Sequence, residues 1–149
     1  HLFEMLVLEM FQAGLSWECV LNKREAFRRA FDGFDCQMMA SYDEERIEAL
    51  AKDMTIIRNR RKIRAAVANA RIFIDIQREY GTFDAYIWGW TGGRSVYERG
   101  LSSSSLSDAV SADLRRRGMT FVGTTIVYSY LQAVGIIYSH DKECFLYAK

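Results

Sequence analysis

The chain has 149 residues and a mass of 17.2 kDa, half of it hydrophobic and 26% charged, with a formal net charge of +1 and three cysteines. That balance excludes a disordered chain and a disulfide-built scaffold, and no apolar run reaches the length of a membrane span. Any nucleic-acid surface must come from local clustering of charge rather than from the totals.

Residues 2–13 read LFEMLVLEMFQA, apolar on nearly every side, with only Glu4, Glu9 and Gln12 polar. A helix that is apolar all round is a buried one. Gly14-Leu15-Ser16 breaks it, and the Ser16 hydroxyl suits the cap of a second helix over residues 17–30, with Val20, Leu21, Phe27 and Phe31 inward. Asp32-Gly33 is a turn signal. Ser41 or Asp43 caps a short acidic helix, EERIEAL. Ile56 and Ile57 lead into a long helix through Tyr80, where Ile63, Val67, Ala70 and Ile74 form a stripe. An aromatic segment over residues 83–90, a Gly- and Ser-rich loop over 92–105 and a helix over 106–117 follow. Residues 118–123 are a tight connection to a last helix over 124–134, ended by Gly135. No strand alternation is visible. The fold class expected is all-α, one compact domain over residues 1–149.

Glu9 is the first candidate for chemistry. A carboxylate inside a buried helix is costly without a partner. It is either half of a polar pair with Gln12, one turn on, or an acid that faces a pocket and awaits a cation or a base edge. Trp17, at a first turn, is usually a core position, and a flat wall for a ligand ring is the other reading. The segment from Gly118 to Gly123 joins two helices, and the open amides at Thr124 make an anion site suited to phosphate. Arg115, Arg116 and Arg117 stand just before it. A plain helix hairpin with a basic last turn is the other reading. Arg58, Arg60, Arg61, Lys62 and Arg64 form the densest basic cluster. It is a solvated face paired with the acidic helix, or a phosphate surface if the fold brings it beside the hairpin. His140 and Cys144, four apart, could share a metal ion, or be a surface histidine and a buried thiol.

Together these blocks resemble the DNA-3-methyladenine glycosylase I (Tag) family. The matching stretches are LFEMLVLE-x-FQAGLSW (2–17), VLNKREAFRRAF (20–31), IIRNRRKI (56–63), FDAYIW (83–88), LSDAVSADLRRRG-x-x-FVGTTIVYSYLQAVG (106–135) and His140-x-x-x-Cys144. The resemblance implies an all-helical fold of the helix-hairpin-helix glycosylase superfamily. It also implies excision of 3-methyladenine from alkylated double-stranded DNA by base flipping, as part of base-excision repair. On that match Glu9 is the catalytic base-recognition carboxylate, with Gln12 beside it and Trp17 stacked on the extruded base. Gly14, Leu15 and Ser16 sit where a wedge into the vacated stack is expected. Arg116, Arg117, Gly118, Gly123 and Thr124 fall in the DNA-binding hairpin. His140 and Cys144 match two of four ligands of a structural zinc site.

The same match sets further expectations. The chain begins at His1 with a helical pattern already running, so it is expected to be an N-terminally shortened version of the family pattern, lacking two zinc ligands. Met10 stands in place of a glycine and could crowd the helix or the pocket. The loop over 92–105 is expected to be shortened. No lysine Schiff base is expected, so water completes the reaction and an abasic site remains. The partners expected are duplex DNA and the free base as product, with no membrane, for a monomer in a bacterial cytosol. The alternative is a non-catalytic helix-hairpin-helix domain that only binds DNA.

Overall fold

The computed structural model describes residues 1–139. In chain order the helices are α1 (Leu2–Gln12), α2 (Trp17–Asn22), α3 (Arg24–Ala30), α4 (Cys36–Ala40), α5 (Glu44–Ala51), α6 (Arg60–Tyr80), α7 (Phe83–Gly89), α8 (Ser105–Arg116) and α9 (Thr124–Ala133). Two short strands, β1 (Val96–Tyr97) and β2 (Ile137–Tyr138), pair in parallel. The all-α expectation holds, with this one small bridge added. The bridge ties the loop after α7 to the end of α9, where Val96 donates its amide to Ile136.

Packing follows the hydrophobic pattern. Residues 3–11 of α1 are all buried, as a helix without a polar face requires. α1 lies between α6 and α9, and the hydroxyl of Tyr130 on α9 donates to the Leu2 carbonyl at 3.0 Å. The long helix α6 also carries α4, α5 and α7. Phe11, Phe27, Phe31 and Phe34 form one aromatic run through the core, and Phe3, Phe73 and Phe83 a second.

The predicted helix over residues 17–30 is two helices, because Lys23 leaves the helical register between α2 and α3. α4 was not expected. Its start is set by Asp35, whose carboxylate accepts from the amides of Gln37 and Met38. Of the two candidate caps for α5, Asp43 is the one used, with its carboxylate accepting from the Arg46 amide at 2.8 Å. α6 starts at Arg60 because the Asn59 side chain caps it by accepting from the Lys62 amide.

Two polar side chains of α6 point inward. Lys62 is 7% exposed, and its Nζ donates to the carbonyls of Phe11 at 3.2 Å and Ala13 at 2.9 Å, the orphan acceptors at the end of α1. Asn69 is fully buried and clamps Thr120: its Nδ2 donates to the Thr120 carbonyl at 2.9 Å, and its Oδ1 accepts from the Thr120 amide at 3.1 Å. The same Nδ2 reaches the Met10 sulfur at 3.3 Å. α6 thus fixes both the end of α1 and the turn between α8 and α9. Replacing Asn69 with Leu keeps the size but leaves both Thr120 backbone groups without that partner. Urea unfolding followed by circular dichroism is expected to show a loss of roughly 1–3 kcal/mol. An unshifted midpoint would mean the clamp is dispensable.

Candidate active site

Met5, Glu9 and Gln12 are spaced four and three apart, so they share one face of α1. Ser129, Gln132 and Ala133 share one face of α9. These two faces, with Trp17 from the first turn of α2, line an open pocket of about 500 Å³. That is the size of a small-molecule site. Trp17 is half-buried against the core. The turn it stands on is fixed by Ser16, whose hydroxyl accepts from the Cys19 amide at 3.2 Å.

α1 buries two carboxylates, and their treatment is opposite. Glu4 is 7% exposed and accepts from Arg24 at 2.9 Å and Arg28 at 2.8 Å. Burial works against its charge, but the two guanidinium groups outweigh that and hold its pKa below the usual carboxylate value. Glu9 is 5% exposed, and among the described residues its carboxylate makes no hydrogen bond or ion pair. Burial alone pushes its pKa up to about 7. A buried acid with no protein partner, facing a cavity, is built to meet something else.

Gln12 also lines the pocket, and its Nε2 donates to the Leu15 carbonyl at 3.0 Å. Its amide therefore braces the loop over residues 13–16 from inside. Gly14 takes a positive φ of 81°, which lets the chain turn there, and Leu15 is left 39% exposed at the tip. Lys62 grips the start of this loop at Ala13. Met10 does not crowd the pocket. It points into the core toward Asn69 and is fully buried.

The hairpin over residues 118–123 stands beside α6. Gly118 has a φ of 103°, and a Cβ there would meet Ile72 at 3.3 Å. The buried Ser111 hydroxyl donates to the Val122 carbonyl at 2.6 Å and holds the far side of the turn. Gly123 is the N-cap of α9 and supplies no side-chain acceptor, so the opening amides of that helix have no cap of their own. Thr124 turns its hydroxyl back to α8, donating to Asp108 at 2.7 Å.

The arginines read as phosphate contacts divide. Arg116 pairs with Asp113 at 2.5 Å while its side chain stays 70% exposed. Arg117 is drawn inward. It bonds Asp113 at 2.8 Å and Glu79 at 2.6 Å, and its guanidinium lies over the rings of Tyr80 and Tyr86. Burial opposes ionisation of Asp113, but hydrogen bonds from Tyr86, Arg117 and Arg116 bring its pKa down to about 2. Arg117 is thus a brace between α6, α7 and α8, and its guanidinium is committed within the protein.

His140 and Cys144 lie outside the described residues. Among the described residues no group of three His, Cys, Asp or Glu side chains could hold a metal ion. Cys19 and Cys36 are free thiols. Sequence reading missed Ser129 and Gln132. Their signal was present: after the opening threonines of TTIVYSYLQA, two polar residues stand three apart among apolar and aromatic neighbours.

Comparison with known proteins gives the family of the chain. A family model described as methyladenine glycosylase matches residues 1–147. DNA-3-methyladenine glycosylase 1 of Escherichia coli (strain K12) is 41% identical over 152 residues, covering 98% of this chain and 81% of the relative. The structure of a 3-methyladenine DNA glycosylase I from Staphylococcus aureus superposes with a TM-score of 0.93 at 31% identity, over 97% of this chain and 80% of that one. A structure of 3-methyladenine DNA glycosylase I in complex with 3-methyladenine matches with a TM-score of 0.93 at 31% identity, covering 97% and 81%.

The unpartnered carboxylate has a consequence for stability. A raised pKa means the folded chain binds a proton more tightly than the unfolded one. The burden of the buried charge is absent below pH 4.5 and grows as pH rises through about 7. At pH 8 it amounts to about 3 kcal/mol. Glu9→Gln is therefore expected to raise the melting temperature at pH 8 and to change it little at pH 4.5. A melting temperature that falls at pH 8 would show that Glu9 is satisfied within the protein.

Proposed function

The chain belongs to the methyladenine glycosylase family, and from that premise we propose that it releases 3-methyladenine from alkylated DNA by hydrolysing the N-glycosidic bond. It is a hydrolase of DNA repair. The observation that carries this reading is Glu9, a buried carboxylate without a protein partner in a pocket that also holds Trp17.

Methylation at N3 gives the adenine nucleotide a positive charge and weakens its bond to the sugar. The base must leave the duplex stack to be cleaved. In our reading it enters the pocket between α1 and α9. Trp17 supplies stacking and a cation–π attraction of about 1–2 kcal/mol. Glu9 accepts hydrogen bonds from the amino edge and complements the ring charge. The low dielectric that makes the bare carboxylate costly strengthens that attraction. Water adds to C1′ as the C1′–N9 bond breaks. The electron pair passes to the base, which leaves neutral, and the proton of the water goes to solvent. The residues that line the pocket include no lysine, and Lys62 is held by carbonyls of α1. The products are then free base and an abasic site, with the strand intact.

The α8–turn–α9 unit supports a helix-hairpin-helix reading, in which the uncapped amides from Gly123 and Thr124 take a phosphate of duplex DNA. Gly118 shapes the turn, Arg116 adds exposed positive charge, and the Leu15 tip between Gly14 and Ser16 fills the gap left by the base. Arg117 contributes by bracing the hairpin. We place the activity in the cytosol, carried out by a monomer. No helix among the described residues is long and apolar enough to cross a membrane.

A structural zinc remains part of the proposal through His140 and Cys144, an imidazole and a thiolate of the kind such sites use. Two ligands of the four a structural site needs hold the metal weakly, so metal analysis after gel filtration is expected to find little zinc, and one tightly held zinc per chain would show that other residues of the chain complete the site. The activity is tested by chromatography of free base released from methylated DNA. Wild-type chain is expected to release 3-methyladenine, and Glu9→Gln to reduce the rate about 10- to 100-fold, the loss of a charged hydrogen-bond partner. Undiminished release by Glu9→Gln would overturn the role of this carboxylate.

A further inference from the structure

The basic cluster over residues 58–64 has several fates. Arg60 bonds Glu48 at 2.7 Å and Arg64 bonds Glu44 at 2.6 Å, so both are neutralised by α5. Lys62 is buried against the end of α1. Arg61 is exposed, and among the described residues no carboxylate lies within 4.0 Å of it. It is not loose, however. Its guanidinium sits 5.9 Å from the centroid of the Phe121 ring.

Phe121 lies inside the hairpin over residues 118–123 and holds a positive φ of 56°, unusual for a side chain of that size. The neighbours on both sides enforce it. Thr120 is clamped by Asn69, and the Val122 carbonyl is held by Ser111. The backbone is thereby turned so that the Phe121 ring meets a cation of α6. A second unpaired guanidinium, that of Arg115, lies at the other end of the turn, with its Nη2 3.2 Å from where a Cβ of Gly123 would stand. Two cations without protein counter-charges therefore attend the same turn. Of their neighbours in sequence, Arg60, Arg64, Arg116 and Arg117 are neutralised and Lys62 is buried, while Arg58, ahead of α6, is exposed and carries no ion pair among the described residues.

We propose that Arg61, braced on Phe121, is a phosphate ligand of the DNA-binding face, supplied by α6 and additional to the phosphate held at the start of α9. Stacking on the ring limits the freedom of the arginine side chain before DNA arrives, so less is lost on binding. The contact reads no sequence. It sets the register of the duplex against the hairpin, and hence against the pocket. The inference rests on the reading of the hairpin as a DNA-binding element, and the test separates the two.

The test measures binding of the full chain to an unmodified duplex as a function of salt. Arg61→Gln is expected to lower affinity and to flatten the plot of log affinity against log salt by about one unit. Phe121→Leu, which keeps the cation and removes its brace, is expected to lower affinity less. Arg60→Gln removes an arginine already paired with Glu48 and is expected to keep the wild-type slope. Gly123→Asp is the control for the hairpin. Aspartate is a favoured N-cap, and the backbone there has φ −59°, so the fold should survive while the carboxylate takes the amides meant for phosphate and also neutralises Arg115, whose Nη2 lies 3.2 Å from the new Cβ; the variant thus blocks the hairpin as a whole. Binding of free 3-methyladenine should be unchanged in Arg61→Gln. If Gly123→Asp weakens DNA binding and Arg61→Gln keeps the wild-type slope, the role of Arg61 is overturned. If Gly123→Asp binds DNA as wild type does, the hairpin reading itself fails.

Discussion

The clamp between Asn69 and Thr120 decides where everything else in the molecule can act. It joins a fully buried amide on α6 to both backbone groups of one hairpin residue. Seven positions earlier, almost two helical turns, Lys62 does the corresponding work on α1. Apolar contacts alone would let three helices slide, because dispersion and burial are nearly indifferent to register. Directional bonds to backbone groups are not indifferent. The pocket on α1 and the hairpin between α8 and α9 are thus held at a set separation by one rigid helix. With the hairpin as the proposed grip on DNA and the pocket as the proposed base site, a base must leave the duplex at one place and arrive at the other, so that separation would be part of the chemistry.

The pair of buried acids on α1 shows how the fold separates structure from function. Glu4 and Glu9 are five residues apart on one apolar helix. Glu4 is surrounded by the guanidinium groups of α3 and becomes a tie between helices. Glu9 has only burial around it and is poised with its pKa near neutrality. A cationic base entering the pocket would draw that pKa down and be held by the charge it induces. A neutral base offers no such gain. Discrimination for an alkylated ring can thus arise from the electrostatics of one side chain, and the instability of the empty site is its counterpart.

Much of this was legible in the residues, and most of what was not shares a cause. Helix starts at Ser16 and Asp43 could be read because capping is local chemistry between neighbours in sequence. The break at Lys23 carries no such local signal, while the separate helix α4 was missed although its cap, Asp35, is equally local. Glu9 was visible as an anomaly, a charge in an apolar helix, although its lack of a partner depends on what surrounds it in space. The basic cluster could not be resolved at all from spacing. Arg60, Arg61, Lys62 and Arg64 are near neighbours in sequence, yet α5, the hairpin and the end of α1 each claim a different one. Arg117 is the same lesson reversed. It looks like Arg116 in sequence, and only the position of Tyr80, Tyr86 and Glu79 across the fold turns it inward.

The near-neutral total charge now has a physical sense. A chain this size with every arginine free would attract DNA over its whole surface and hold it in many orientations. Here carboxylates cancel most of them where they stand: Glu44 and Glu48 on α5, Glu79 on α6 and Asp113 on α8. Glu4 and Glu25 do the same for Arg28 on the far side of α1. Among the described residues positive charge is left unneutralised at a few places, Arg58 and Arg94 among them, and beside the hairpin two such arginines, Arg61 and Arg115, attend one turn. Screening at physiological salt limits an exposed charge to roughly 8 Å, so only a duplex seated on the hairpin meets those two together. If the hairpin seats DNA as proposed, the acidic residues of α5, α6 and α8 help to orient it without touching it, because they neutralise arginines that would otherwise compete.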